Sequence, residues 1–236
     1  MTKEYITKFL EETSDICKKI DKEEISKFVN ILFKTWKDGK KVITMGNGGS
    51  ASTASHFAGD LVKTVANDSS MKEISSVKGF RAMCLNDNSP SLTAWINDSG
   101  WDKAYSGLLN TFLDEGDVIL LVSVHGGSGW SGNLGEAMTL AKKRNAKILG
   151  LAGFDGGKMK EMSDACIVIP KNSTPLVEGF HCVIQHLIVD ELRKLINGFS
   201  KFSSLTNLKK VKEEHTEPIL KNLISNVISD YKGEGN

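Results

Sequence analysis

Residues 41–61, KVITMGNGGSASTASHFAGDL, decide how this chain is read. Lys41–Met45 is a short, mostly apolar run of the kind that forms a buried strand. Gly46-Asn47-Gly48-Gly49 then turns the backbone without side-chain bulk, and Ser50, Ser52, Thr53 and Ser55 follow where a helix begins. A strand, a glycine turn and a helix N-terminus gather backbone N–H groups around one point. That makes an anion site before any side chain acts. Helix capping accounts for one of the hydroxyls, but not for four beside three glycines. The loop also fits the loose G-x-G-x-x-A dinucleotide pattern. A dinucleotide needs an acidic residue closing the second strand, and Asn86-Asp87 come too far downstream to serve. The hydroxyl run suits a phosphate monoester better. One turn along the helix, His56 and Asp60 stand at i and i+4 on a shared face. A phosphate cradle followed by a titratable pair predicts chemistry on a small phosphorylated molecule.

Upstream, residues 3–20 and 22–38 read as two amphipathic helices, with Gly39 as a C-terminal stop. They cover the sheet or pair with another subunit. Downstream, Thr64–Lys78 is polar and irregular, a loop or lid. Phe80–Leu85 is a second strand, followed by turn residues Asn86–Pro90 and short helices at Ser91–Asn97 and Ala104–Phe112. Val118–Val124 is a continuous apolar strand that runs into a second glycine loop, His125–Gly132. A helix (Asn133–Arg144), a strand (Lys147–Ala152), a third glycine turn, a short helix and a last strand (Ala165–Pro170) complete the alternation. Strands alternating with helices predict an α/β fold, a three-layer doubly wound parallel sheet with sites at the strand C-terminal ends. The two glycine loops lie at such ends, so they can face one crevice.

The composition narrows the class. Among 236 residues, 30 Lys plus Arg balance 29 Asp plus Glu, which points to no nucleic-acid or polyanion partner. The cysteines, Cys17, Cys84, Cys166 and Cys182, are scattered and form no CxxC pair, as expected of reduced thiols. No signal-peptide core and no membrane-spanning run is present, so the expectation is a soluble cytoplasmic protein without a membrane partner. Three segments are expected: helices over 1–40, a sugar-phosphate-binding domain over 41–198, and a helical extension over 199–236. The extension holds a charged helix around Lys209–Glu214 and an apolar-periodic one at Ile219–Ile228.

Pro175 opens a long helix expected over Leu176–Ile196, in which Glu178, Cys182 and His186 step along one face. Cys182 reads as a buried small hydrophobe. A lone histidine on an apolar helix is more often core than catalyst, yet His181, Cys182, His186 and Glu178 fall within nine positions. His56, Asp60, Glu178 and His186 together offer two imidazoles and two carboxylates. They either hold Zn²⁺ with an open position or do acid–base work without metal.

Five segments carry a wider likeness: GNGGSASTASHFAGDL at 46–61, IND at 96–98, EGDVILLVSVHGGSG at 115–129, GLAGFDGGKM at 150–159, and E-x-x-H-x-x-x-x-H at 178–186. On these the chain resembles the sugar isomerase (SIS) domain family, and within it the sedoheptulose 7-phosphate isomerases of bacterial heptose biosynthesis. The resemblance implies a flavodoxin-like sheet, a homotetramer and active sites shared between subunits. It implies phosphate binding by Asn47, Gly48, Ser50 and Ser52 of the first loop and by the hydroxyls of Ser123 and Ser128 of the second; Gly49 and Glu178 are expected as further substrate or phosphate contacts, and His125 as a replacement for hydroxyls the second loop lacks. The family's metal or catalytic positions fall on His56, Asp60, Glu178 and His186, and a substrate-contacting carboxylate on Asp98.

Three departures from the family pattern stand out. Asp60 replaces a glutamate, and a base displaced by roughly 1 Å can lose about a hundredfold in rate. Glu178 replaces a glutamine. The second loop reads Ser123-Val124-His125-Gly126-Gly127-Ser128 in place of the hydroxyl-rich S-T-S-G-N-S. The implied reaction is aldose–ketose isomerisation through a cis-enediol, with Asp60 as base and His186 as acid–base partner. Zn²⁺ at the cluster would polarise the carbonyl and enediolate oxygens. The rivals are a non-catalytic SIS module serving assembly or regulation, and an isomerase of another sugar phosphate.

Overall fold

The apolar run Val118–Ser123 is buried along its whole length, and it takes the centre of the sheet. In the computed structural model, which describes residues 2–66 and 77–210, the elements run α1 (Thr2–Lys19), α2 (Lys22–Lys37), β1 (Lys41–Gly46), α3 (Gly49–Lys63), β2 (Arg81–Cys84), α4 (Ser89–Ser99), α5 (Ala104–Phe112), β3 (Val118–Ser123), α6 (Gly132–Lys143), β4 (Lys147–Gly153), α7 (Gly157–Met162), β5 (Ala165–Ile169) and α8 (Thr174–Lys210). The strands pair in parallel in the order β2-β1-β3-β4-β5. Parallel neighbours need a crossover, and the intervening helices supply it. The order reverses direction between β1 and β3, which pair directly from Val42↔Val118 to Gly46↔Val122. Ligands of open α/β sheets bind in the crevice at such a switch point. Both glycine loops leave the sheet there.

Alternation along the strands divides the core into two layers. Val42 on β1 and Val118, Leu120 and Val122 on β3 face a layer built with α2, α3 and α8. Ile43 and Met45, with Ile119 and Leu121, face the other, built with α5, α6 and Met159 of α7. Each such side chain contributes roughly 1.5–3 kcal/mol by leaving water. Of the two N-terminal helices, α2 covers the sheet: Phe28, Val29 and Leu32 are buried in the first layer. Asp21 caps α2 by accepting from the Glu23 and Glu24 N–H groups, and Gly39, at φ +66°, ends it. Helix α1 buries Ile16 yet leaves Tyr5, Ile6 and Leu10 exposed.

The expected elements fall within a few residues of the observed ones, with one exception. The last helix does not stop at Ile196 but continues to Lys210. Gly198 lies inside it with nothing near the place of a Cβ. An interior glycine costs only about 1 kcal/mol, too little to end so long a helix. The chain divides into two compact units, Met1–Ile196 and Asn197–Asn236, and the described residues of the second, 197–210, are helical. The expected lid at Thr64–Lys78 lies largely outside the described residues, as do the helix around Ile219–Ile228 and most of the one around Lys209–Glu214. All four cysteines are free thiols, and Cys182 is half-buried rather than buried. Among the described residues, no helix is long and apolar enough to cross a membrane.

Candidate active site

The first loop is held from several sides. Gly46 ends β1, where a Cβ would fall 2.6 Å from the Ser50 carbonyl oxygen and 2.9 Å from that of Val122, so no side chain fits. Asn86 reaches across and behaves like a missing strand partner. Its Oδ1 accepts from the Gly46 N–H (3.3 Å) and its Nδ2 donates to the Gly46 carbonyl (3.0 Å). The Tyr105 hydroxyl also donates to that carbonyl, and burial pushes its pKa up to about 12. The Asn47 and Asn133 side-chain amides exchange two hydrogen bonds, both 3.0 Å, which ties the loop to the start of α6. Gly48 has φ +55°, a conformation that favours glycine, and from it the chain enters α3. The Ser50 and Ala51 N–H groups bond back to the Asn47 and Gly48 carbonyls. Ser50 is buried, Ser52 is exposed, and Ser55 donates to Asp87.

The second loop is clamped by the third glycine turn. Gly126 and Gly127 both have positive φ, and a Cβ on Gly126 would overlap the Gly156 carbonyl. The Met159 N–H donates to the Gly126 carbonyl. Ser123 is buried and its Oγ accepts from the Gly127 N–H (3.1 Å). Ser128 Oγ accepts weakly from the Lys158 N–H (3.4 Å). His125 is exposed, with its ring against Phe154 at 4.5 Å between centroids.

Two turns into α3 the titratable residues converge. His56 Nε2 and His186 Nδ1 each stand 3.5 Å from the same oxygen, Asp60 Oδ2. The two imidazoles meet edge to face, 4.9 Å between centroids. Both histidines are about half exposed, whereas the Asp60 side chain is 15% exposed. The carboxylate is tethered at both oxygens. Thr64 Oγ1 donates to Oδ1 (2.8 Å), and Gln185 Nε2 donates to Oδ2 (3.1 Å).

His56, Asp60 and His186 could hold a metal, since one ligand atom from each lies within 4.8 Å of the others. Tetrahedral zinc at a ligand distance of about 2.0–2.1 Å sets its donors roughly 3.4 Å apart, which the two 3.5 Å separations to Asp60 Oδ2 match, while the two imidazole nitrogens are placed within 4.8 Å of each other. Glu178, the fourth expected ligand, is not part of this cluster. Its carboxylate lies over Gly49, with Oε1 2.7 Å from the place of a Cβ there. That is the positive end of the α3 dipole, which favours an anion. Asp98 is exposed near the end of α4 and accepts from Asn97.

Sequence reading missed Gln185, Thr64, Asn86, Tyr105 and Asn133. Gln185 left one signal: it sits between Ile184 and Ile188 on the apolar stripe of α8, where an amide is out of place. Thr64 stands at i+4 from Asp60, a spacing the sequence already offers, whereas Asn86, Tyr105 and Asn133 announce themselves only through partners distant in sequence. His181 is the opposite case. It is 1% exposed, neither ring nitrogen makes a hydrogen bond, and burial pushes its pKa down to about 4. The Ala152 carbonyl pulls the other way, and burial outweighs it.

Residues 4–153 match the model of the SIS domain family. The chain is 33% identical to a phosphoheptose isomerase of Aliarcobacter butzleri over 185 residues, covering 78% of this chain and 92% of that protein. It is 38% identical over 165 residues to the lincomycin biosynthesis protein LmbN of Streptomyces lincolnensis, of which it spans a little over half, 58%. The fold superposes on the phosphoheptose isomerase of Neisseria gonorrhoeae with a TM-score of 0.70 at 26% identity, covering 82% of this chain and all of that one.

Proposed function

The chain belongs to the SIS domain family, with phosphoheptose isomerases among its relatives, and on that premise we propose that it is an aldose–ketose isomerase converting sedoheptulose 7-phosphate to D-glycero-D-manno-heptose 7-phosphate for bacterial surface heptose. The observation that carries this reading is the Asp60 carboxylate. It is held at both oxygens and faced by two imidazoles, on the helix that leaves the switch point of the sheet.

The reaction needs one group to move a proton between neighbouring carbons and another to move protons between their oxygens. Asp60 is the base for the carbon-bound proton, and it returns that proton to the adjacent carbon of the cis-enediol. His186 serves the oxygens, and its ring stands beside the same carboxylate. The phosphate anchors the far end of the opened sugar on Asn47, Gly48, Gly49, Ser50 and Ser52 and on Ser123, His125 and Ser128. Ser123 only accepts from Gly127, which leaves its hydroxyl proton to donate. Glu178, whose carboxylate lies over Gly49, leaves that place to the phosphate and meets sugar hydroxyls, and Asp98 contributes a further carboxylate. His56, Asp60 and His186 would hold Zn²⁺, with Glu178 completing the set only by moving off Gly49. Such an ion supplies Lewis-acid polarisation of the substrate oxygens.

The assembly that fits is a cytoplasmic homotetramer with sites shared between subunits. Exposed Tyr5, Ile6 and Leu10 on α1, Val62 beside Asp60 on α3, and Val183 and Leu187 flanking His186 on α8 are apolar surface that a second copy would cover. A scaffold without catalysis has no use for two imidazoles on one carboxylate. The test is NMR of the purified protein with sedoheptulose 7-phosphate, after chelation and again with Zn²⁺ restored. A heptose 7-phosphate aldose is the expected product, at a higher rate with zinc. Thermal stabilisation by the sugar phosphate without turnover would point to another sugar phosphate as substrate. Neither turnover nor stabilisation would return the protein to the scaffold class.

A further inference from the structure

We propose that Gln185 is a positioning residue for the Asp60 carboxylate, a role that rests on the isomerase reading above. Gln185 is 0% exposed on α8, in the row of Ile184, Ile188 and Leu192. A position that only filled space there would be aliphatic, because a buried amide demands partners for its oxygen and its nitrogen. Gln185 satisfies one side only. Its Nε2 donates to Asp60 Oδ2 at 3.1 Å, and its Oε1 has no partner. Turning the amide over would set Oε1 against the carboxylate, acceptor facing acceptor, so Asp60 dictates the orientation. The buried oxygen left without a partner is a cost to folding that an aliphatic residue would not carry. It persists where the amide does something for Asp60 that packing cannot.

What it does follows from the short aspartate side chain. A carboxylate one bond beyond Cβ has its reach set by the helix, and its plane is free to rotate unless it is held. Thr64, one turn further along α3, holds Oδ1 from the same helix. Gln185 holds Oδ2 from the neighbouring helix, next in sequence to His186, which stands 3.5 Å from the same oxygen. The plane of the carboxylate and its distance from His186 are thus set together by two adjacent residues of α8. An amide donor does this without adding a second charge beside the two histidines, which an arginine or lysine would do.

The experiment uses the full chain and four proteins: wild type, Gln185→Met, Asp60→Asn and the double variant. Methionine keeps the length and removes the donor. The expected result is an unfolding temperature unchanged or raised, a kcat lower by about 10- to 100-fold and a KM within about twofold. In the Asp60→Asn background, Gln185→Met should have no further effect on kcat. A kcat within twofold of wild type, or an equal loss in both backgrounds, would overturn the proposal. An activity-independent arm separates this from failure of the isomerase reading. The Gln185 side-chain amide signals, identified by their loss in Gln185→Met, should shift in the NMR spectrum of Asp60→Asn. If wild type does not turn over sedoheptulose 7-phosphate, the substrate reading falls and this shift still decides. An unmoved amide signal would show that Gln185 does not hold Asp60.

Discussion

Helix α8 carries two histidines five residues apart that occupy opposite worlds. His186 faces outward, about half exposed, with its ring on Asp60 and His56. His181 faces inward, 1% exposed, with no hydrogen bond at either nitrogen and its pKa pushed down to about 4. They share a residue type and a helix, so the difference between them is the face they occupy. Five residues at 3.6 per turn rotate the side chain by about 140°, which separates a half-exposed ring from one that burial keeps neutral. A histidine-rich helix therefore advertises chemistry without saying which ring performs it.

The largest expected effect is that of His186→Ala, which removes the proposed acid–base partner. Loss of a positioned acid–base group costs roughly 10²–10⁴-fold in rate, and an outward side chain should leave the fold intact. Near-normal turnover in the folded variant would remove His186 from the mechanism. Stability against pH tests the inner ring. The folded pKa lies below the ordinary 6.5, so between about 6.5 and about 4 the unfolded chain binds a proton that the native one refuses. This contribution to stability is fully present above pH 6.5 and is lost as the pH falls toward 4. It amounts to about 3 kcal/mol over that window. Denaturant melts of wild type and His181→Leu at pH 7 and pH 4.5 would isolate it, with the variant expected to lose less. A parallel loss in both proteins would mean that His181 is not the group responsible. The smallest expected effect is that of His181→Leu at pH 7, with turnover within about twofold and stability unchanged or raised, because two unpartnered buried nitrogens are removed. A loss of rate comparable with His186→Ala would move His181 into the site.

The fold was legible because its signals are local. Continuous apolar runs such as Val118–Val124 mark strands buried on both faces, and the 3.6 period of residues 22–38 marks a helix with one covered side. Helix α5 falls on the expected residues Ala104–Phe112. The expected end at Ile196 falls short because an interior glycine such as Gly198 costs only about 1 kcal/mol, too little to stop a long helix. In the site, the i, i+4 spacing of His56 and Asp60 is a property of any helix, so that half was readable. Glu178 is expected among the metal ligands from its helical step to His186 and from the resemblance. The same step leaves two turns of helix between them, and the carboxylate lies over Gly49 instead.

Strand–helix alternation, the glycine turns and the helix faces follow from the order of residues alone, because each depends on residues a few positions apart. Which faces meet is set by the packing of the whole chain. The β2-β1-β3-β4-β5 order sets the two glycine loops at one switch point, although Gly46 and Gly126 are far apart in the chain. The packing of α8 beside α3 delivers His186 and Gln185 to Asp60. Asn86, Tyr105 and Asn133 reach the first loop from three later segments. Such contacts come from packing two apolar layers onto one sheet, and no local periodicity records the rotation or register at which helices settle there.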